Sequence, residues 1–412
     1  MKISDIYQEQ VDFTYKGFSK KSIGKTFGEL ITEGTSLFDG NFTTPIATLR
    51  QSALTNNLSA MSKYCEEIGF DLAPHVKTHM SPQLAAEQMK FGAKYLTVAT
   101  MWQARVFLEF GFKSIIIANE VSEIADLREI AETNKDPLFE VICYVDSMEG
   151  AKLLANALEN TPSGSIHLLV EIGYKNGRGG VRDLNDLKTL CETLVEIPGV
   201  IIRGVTGFEG NISGERTPEK ISVIENFCNL ITDAASLVSE YVHRPELIVS
   251  AGGSGFFDVV VKVFNKFSST THRVRRILRS GGYISFDDGF YGRISPSEGN
   301  APKFEAAIEV WGSVVSQAES GLTLLNFGKR DVGIDLDNPI PSRSALKRNV
   351  SGSITKLNDQ HAFLIGAPVT EMNVGDWVAC GISHPCTTFD KWRIFPVLDD
   401  QDRVIDYIRT YF

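Results

Sequence analysis

From Thr44 onward, short β-branched runs alternate with longer stretches whose apolar residues recur at helical spacing. PIATLR leads into NNLSAMSKYCEEIG, DLAPHVKTH into SPQLAAEQMKFG, and YLTVAT into MWQARVFLEFG. SIIIANEV, FEVICYVD, IHLLVEIG, VIIRGVTGF and ELIVSAGG continue the series, so the pattern predicts eight strands, each followed by a helix. Several are apolar on both faces, as parallel strands covered by helices must be. A doubly wound open sheet has similar local patterns; the count of eight favours a closed TIM-type (β/α)8 barrel. After Arg279 the texture changes to strands separated by turn residues: FEAAIEVWGSVVSQ, LTLLNFGKR, SITKLNDQHAFLIG and DWVACGIS. The expected architecture is α/β, with an N-terminal extension at 1–40, a barrel at 41–280 and a mostly β domain at 281–412. An early helix around Ile23 to Glu33 could pack on either domain.

Composition narrows the class. The 412 residues, 43% hydrophobic and 22% charged, suit a globular chain of more than one core. A formal charge of −10 without long runs of one sign disfavours nucleic acid and anionic membranes, and points to a small-molecule partner. No signal-peptide core or run of membrane-spanning length is apparent, so a cytoplasmic location is expected. Six cysteines without CxxC spacing argue against a disulfide framework and a structural zinc knuckle.

In such a barrel, reactive groups project from the C-terminal ends of the strands. DLAPHVKTHMSP places Lys77 between His75 and His79; in an extended chain all three share one face. Crowded basic groups disfavour one another's charged forms, and a neutral lysine is a nucleophile; a solvated strand end is the alternative. The strand ending in EIGYKNGRGGVR offers Arg178, which could aim into the mouth or lie on a surface loop. TGFEGN presents Glu209, again a site carboxylate or a solvated one. SAGGSGFFD surrounds Ser254 with Gly252, Gly253 and Gly255 directly before a helix, a setting in which backbone N–H groups can hold phosphate, although such turns are often plain loops. A lysine nucleophile and a phosphate cradle on one barrel describe a pyridoxal phosphate site.

PHVKTH, NGRGGVR, SAGGSG and LRSGGYISFDDGFY together resemble the fold-type III pyridoxal phosphate enzymes, whose barrel is that of bacterial alanine racemases. CGISHPCTTFDKW resembles the signature of the D-serine dehydratase-like domain, shared by D-serine dehydratases, D-threonine aldolases and related deaminases. The resemblance implies that Lys77 forms the Schiff base, Arg178 lies near the cofactor's phenolate oxygen, Gly253, Ser254 and Gly255 hold its phosphate, and Tyr283 stands near the site. It implies a divalent metal, usually zinc, on His384 and Cys386. Imidazole and thiolate suit zinc, and two protein ligands leave room for water and substrate. Asp390 could add an outer ligand, or cap a helix; His75 and His79 could bind metal, but beside a Schiff-base lysine cofactor contact is expected, and Glu209 could reach the pyridine nitrogen. The activity implied is dehydration of a β-hydroxy-D-amino acid such as D-serine to a 2-oxo acid and ammonia. Retro-aldol cleavage of a D-threonine-like substrate is the alternative, typically carried with His-x-Asp where this chain has His384-Pro385-Cys386. A racemase, or a cofactor carrier without turnover, is a further alternative. A homodimer is expected by resemblance alone.

Overall fold

The computed structural model describes residues 1–366 and 372–412. The nine strands before residue 280 are β1 (Ile46–Arg50), β2 (Asp71–Leu72), β3 (Leu96–Val98), β4 (Ser114–Glu120), β5 (Glu140–Val145), β6 (Ile166–Ile172), β7 (Val200–Gly207), β8 (Glu246–Ala251) and β9 (Arg273–Leu278). Strands β2 to β9 form one parallel sheet in the order β2-β9-β8-β7-β6-β5-β4-β3. Its two ends meet: the Lys94 N–H donates to the Leu72 carbonyl at 2.8 Å and the Thr97 N–H to that of Pro74 at 2.9 Å, with a parallel bridge from His75 to Thr97. The barrel is closed.

Its members differ from the expected set. PIATLR, read as the first barrel strand, is β1 and lies in the other sheet, while RVRRIL at β9 supplies the eighth barrel strand. Local pattern could not separate the two, because β1 is buried on both faces like a barrel strand. RVRRIL was hidden by its arginines. Arg275 Nε donates to Asp71 Oδ2 at 2.6 Å, Arg273 pairs with Glu246, and Arg276 donates to the carbonyls of Phe264 and Phe267 at 2.8 and 2.7 Å. With Arg203 paired to Glu140, these groups close the N-terminal end of the barrel, so the open end is the C-terminal one. Between the ends, Ala73, Ile116, Ile142, Leu169, Ile248 and Ile277 fill the interior.

The second sheet takes β10 (Ile308–Glu319), β11 (Leu322–Leu325), β12 (Ile340–Ser344), β13 (Ser353–Leu357), β14 (Ala362–Ile365), β15 (Trp377–Gly381), β16 (Ile394–Leu398) and β17 (Val404–Arg409). β1 runs antiparallel to β10 and parallel to β16, so the barrel is bracketed in sequence by strands of the β domain. The N-terminal extension packs on this domain: Val11, Tyr15, Phe27 and Leu30 share one core with Trp311 and Tyr407. Its helix is Phe27–Glu33, later than Ile23, because Thr26 and Glu29 form a reciprocal capping box that sets the start.

Among the described residues one helix, Pro218–Val238 with its turn to Tyr241, is long and apolar enough to cross a membrane by length and composition, against the expectation of no such run. Its Ile224, Phe227, Ile231 and Ala235 are buried, and it packs against β7, so its apolar character serves the barrel core.

Candidate active site at the barrel mouth

Beyond Leu72 the chain leaves the strand, and Val76–Thr78 make one 3-10 turn flanked by His75 and His79. Three residues per turn separate side chains that an extended chain would align, so the shared basic face does not form. Lys77 is exposed at the mouth. His79 faces the core, where its Nδ1 accepts from the Ser81 N–H at 3.0 Å and its Nε2 meets Gln88 Oε1 at 3.2 Å. Gln88 Nε2 donates to the Tyr283 hydroxyl at 3.2 Å, and Tyr283 is buried against Phe304. His79 and Tyr283 therefore form a polar chain behind the site, and Tyr283 is a core residue. His75 stays with Lys77: its Nδ1 is sheltered and has no partner among the described residues. Burial, then the charges of Lys77, Arg279 and Arg178, hold its imidazole well below the ordinary value.

Three further elements converge on the same end. Arg178 stands over the Phe208 ring, 4.9 Å from guanidinium carbon to centroid. Glu209, fully buried, accepts from Gly253 N–H at 2.6 Å and Gly252 N–H at 3.1 Å. This places its carboxylate on the glycine loop. Among the described residues no acceptor reaches the N–H groups of Ser254 and Gly255, which precede the helix Phe257–Phe264. A Cβ on Gly253 would come 2.9 Å from the Phe208 ring, one on Gly282 2.9 Å from that of Tyr291, and one on Gly281 into the His75 carbonyl. Ser254 Oγ accepts from the Gly282 N–H at 3.1 Å. Arg216 donates to the Gly255 carbonyl at 2.6 Å and pins the exit of the loop.

Arg279, at the end of β9, escaped the sequence reading along with its strand. It is buried, donates to Ser250 Oγ at 2.6 Å, Thr206 Oγ1 at 2.9 Å and the Gly207 carbonyl at 2.7 Å, and has no carboxylate among these partners. A cation so placed makes the barrel floor positive. On the far side of the mouth Glu120 is half-buried, and desolvation, then the charges of Glu171 and Asp146, push its carboxyl up to about 8.

The β domain delivers the last pair. His384 precedes a short helical turn, Cys386–Phe389, with Pro385 at its N-cap. The chain turns here, and the His384 and Cys386 side chains lie close enough to shift each other's protonation. Thr78 Oγ1 lies 3.4 Å from Cys386 Sγ, which ties this pair to the turn bearing Lys77. Burial pushes the Cys386 thiol up, but His384, Thr78 and Lys77 outweigh it and hold the thiol below its ordinary value. Burial pulls His384 down, and Cys386 and Asp335 more than reverse that, raising it to about 9. Asp390 occupies the C-cap position of the turn and pairs with Lys391 at 3.8 Å.

These residues fit the groups the resemblance implies. Two free N–H groups at a helix start, in a cradle that side chains would fill, suit a phosphate. A thiol held toward thiolate beside an imidazole suits a zinc-like metal, with positions left for solvent and substrate; among the described residues no cluster of three or more His, Cys, Asp or Glu forms a closed cage.

The barrel and the family models that match it place the protein among the pyridoxal phosphate enzymes of fold type III. Residues 49–255 match the model described as alanine racemase, N-terminal domain, and residues 307–398 the putative serine dehydratase domain; the chain belongs to the alanine racemase-like family. It is 26% identical over 354 residues to a D-threonine aldolase of Arthrobacter sp, covering 84% of this chain and 86% of that one. It is 24% identical over 290 residues to a D-threo-3-hydroxyaspartate dehydratase of Delftia sp. (strain HT23), covering 69% and 71%. Among solved structures, D-threonine aldolase from Filomicrobium marinum superposes with a TM-score of 0.75 at 22% identity over 90% of this chain and 95% of that one, which shows the shared fold.

Proposed function

We propose that the protein is a pyridoxal phosphate-dependent, metal-assisted lyase that dehydrates and deaminates a β-hydroxy-D-amino acid to a 2-oxo acid and ammonia. The observation that carries this reading is the contact between the lysine-bearing turn and the His384–Cys386 pair through Thr78 and Cys386 at 3.4 Å. It brings a base for the α-proton and a holder for a Lewis acid to one place.

When bound, pyridoxal phosphate supplies an electron sink at Cα and the divalent metal supplies a Lewis acid at the β-oxygen. Lys77 binds the cofactor and its Nζ takes the α-proton. The N–H groups of Ser254 and Gly255 hold the phosphate, with Gly253 allowing its close approach. Arg178 would lie near the cofactor's phenolate oxygen, His75 would contact the cofactor beside Lys77, and Glu209 keeps the glycine loop in place. Nε2 of His384 and Sγ of Cys386 would hold the metal. The Cys386 position favours dehydration over cleavage, since the resemblance associates aldolases with an acid there.

Retro-aldol cleavage to glycine and an aldehyde is the second reading, supported by the Arthrobacter relative. A panel of D-serine, D-threonine and D-threo-3-hydroxyaspartate, assayed for ammonia, 2-oxo acid and glycine, separates the two. Ammonia with an equal amount of 2-oxo acid is the expected outcome; glycine without ammonia would replace dehydration by cleavage. Metal removal by a chelator should abolish turnover while leaving the cofactor's visible absorbance in place, and added zinc should restore it. Activity indifferent to thorough metal removal would take His384 and Cys386 out of the reaction. A cytoplasmic homodimer completes the proposal. Trp102, Met148 and Leu184, exposed at the starts of helices that ring the mouth, support a second subunit there.

A further inference from the structure

Asp335 lies in the segment between β11 and β12, far in sequence from the His-Pro-Cys turn, and reaches it with both carboxylate oxygens. His384 Nδ1 meets Asp335 Oδ2 at 2.6 Å, and Thr387 Oγ1 donates to Asp335 Oδ1 at 2.6 Å. Gly333 permits this approach, because a Cβ there would run into Thr387 Oγ1. Its N–H donates to Thr388 Oγ1 at 3.1 Å, and that hydroxyl donates in turn to the His384 carbonyl at 3.1 Å. The segment thus grips His384 at both ring and backbone. With Nδ1 occupied, Nε2 is the ring nitrogen left to bind.

We infer that Asp335 is a positioning residue that fixes the ring of His384 so that Nε2 serves as a metal ligand beside Cys386. The inference rests on the reading that His384 and Cys386 hold a divalent metal. Physically, the carboxylate does two things: it removes the alternative in which Nδ1 takes the metal, and it raises the donor strength of the ring by accepting from its other nitrogen. Thr387 holds the second carboxylate oxygen and so limits rotation of the acid.

Two measurements on the holoprotein and its metal-depleted form test this. The first follows the downfield proton resonance of the His384 Nδ1–H, assigned by its loss in His384→Gln. The second measures zinc affinity by competition with a chromophoric chelator. Asp335→Ala is expected to abolish the resonance and to weaken zinc binding by about 10–100-fold. Asp335→Asn, which keeps one acceptor and the same shape, should fall between it and the native protein, and the cofactor's absorbance should be unchanged in both. Native zinc affinity and an unaltered resonance in both variants would overturn the inference. If the native protein itself holds no zinc while the resonance still depends on Asp335, the metal reading falls and the grip of Asp335 on His384 stands.

Discussion

Gly281 carries a larger share of the site than its size suggests. Any Cβ at this position would collide with the carbonyl oxygen of His75, the residue that anchors the lysine-bearing turn. Gly281→Ala must therefore push that turn outward, and we expect a loss of about 1–3 kcal/mol in denaturant stability together with weakened cofactor retention. Stability and retention matching the native protein would show that the turn yields at no cost. Glu209 makes a similar case with opposite chemistry. Glu209→Ala leaves the N–H groups of Gly252 and Gly253 without their acceptor in a buried setting, a loss of about 1–3 kcal/mol. The ring environment of the cofactor, read by absorbance, should not change, whereas a residue touching the pyridine nitrogen would alter it. Lys77 and the SAGGSG loop were visible in the sequence because their chemistry is local: one lysine between histidines, three glycines around a serine. The place of Tyr283 was not legible, since only the fold sets it in the core beside Gln88.

At the level of elements, the turn Val76–Thr78 separates two histidines that the sequence pattern had paired. His79 is fully buried, and burial holds it down to about 4 although its bond to Gln88 opposes this. The unfolded chain takes up a proton near the ordinary histidine value of about 6.5, while the folded protein resists until about 4. Stability contributed by this residue is therefore present above about 6.5 and lost as pH falls toward 4, by at most about 3 kcal/mol. Urea unfolding at pH 7.5 and 5 should show a smaller difference in His79→Gln than in the native protein; equal differences would place the acid sensitivity elsewhere. RVRRIL shows why an element can hide. Arginine at three of six positions reads as a wet edge, and only the fold reveals that Asp71, Glu246 and the carbonyls of Phe264 and Phe267 satisfy them. Arg279 was lost with the strand that carries it. Asp335 had no signal at all, because it meets its partner across nearly fifty residues of chain.

For the whole molecule, the extension at 1–40 belongs to the core of the β domain, through Phe27, Leu30, Trp311 and Tyr407. Removing it should expose that apolar surface, and we expect the truncated protein to aggregate or to melt well below the native one; an unchanged melting temperature would mean the extension is dispensable. The alternation of strands and helices made the barrel legible, since eight parallel strands under helices impose a repeating two-sided pattern. Membership of those strands was not legible, because a central strand of either sheet is buried on both faces. β1 is the case in point. It leaves the ribosome early, but Leu49 and Arg50 pair with Val397 and Leu398. At synthesis rates of about 5–20 residues per second, this apolar strand waits on the order of tens of seconds for its partner. The nascent chain must carry an open sheet edge until β16 emerges, so folding quality depends on what shields Ile46–Arg50 meanwhile, and any stop codon before β16 leaves that edge permanently bare.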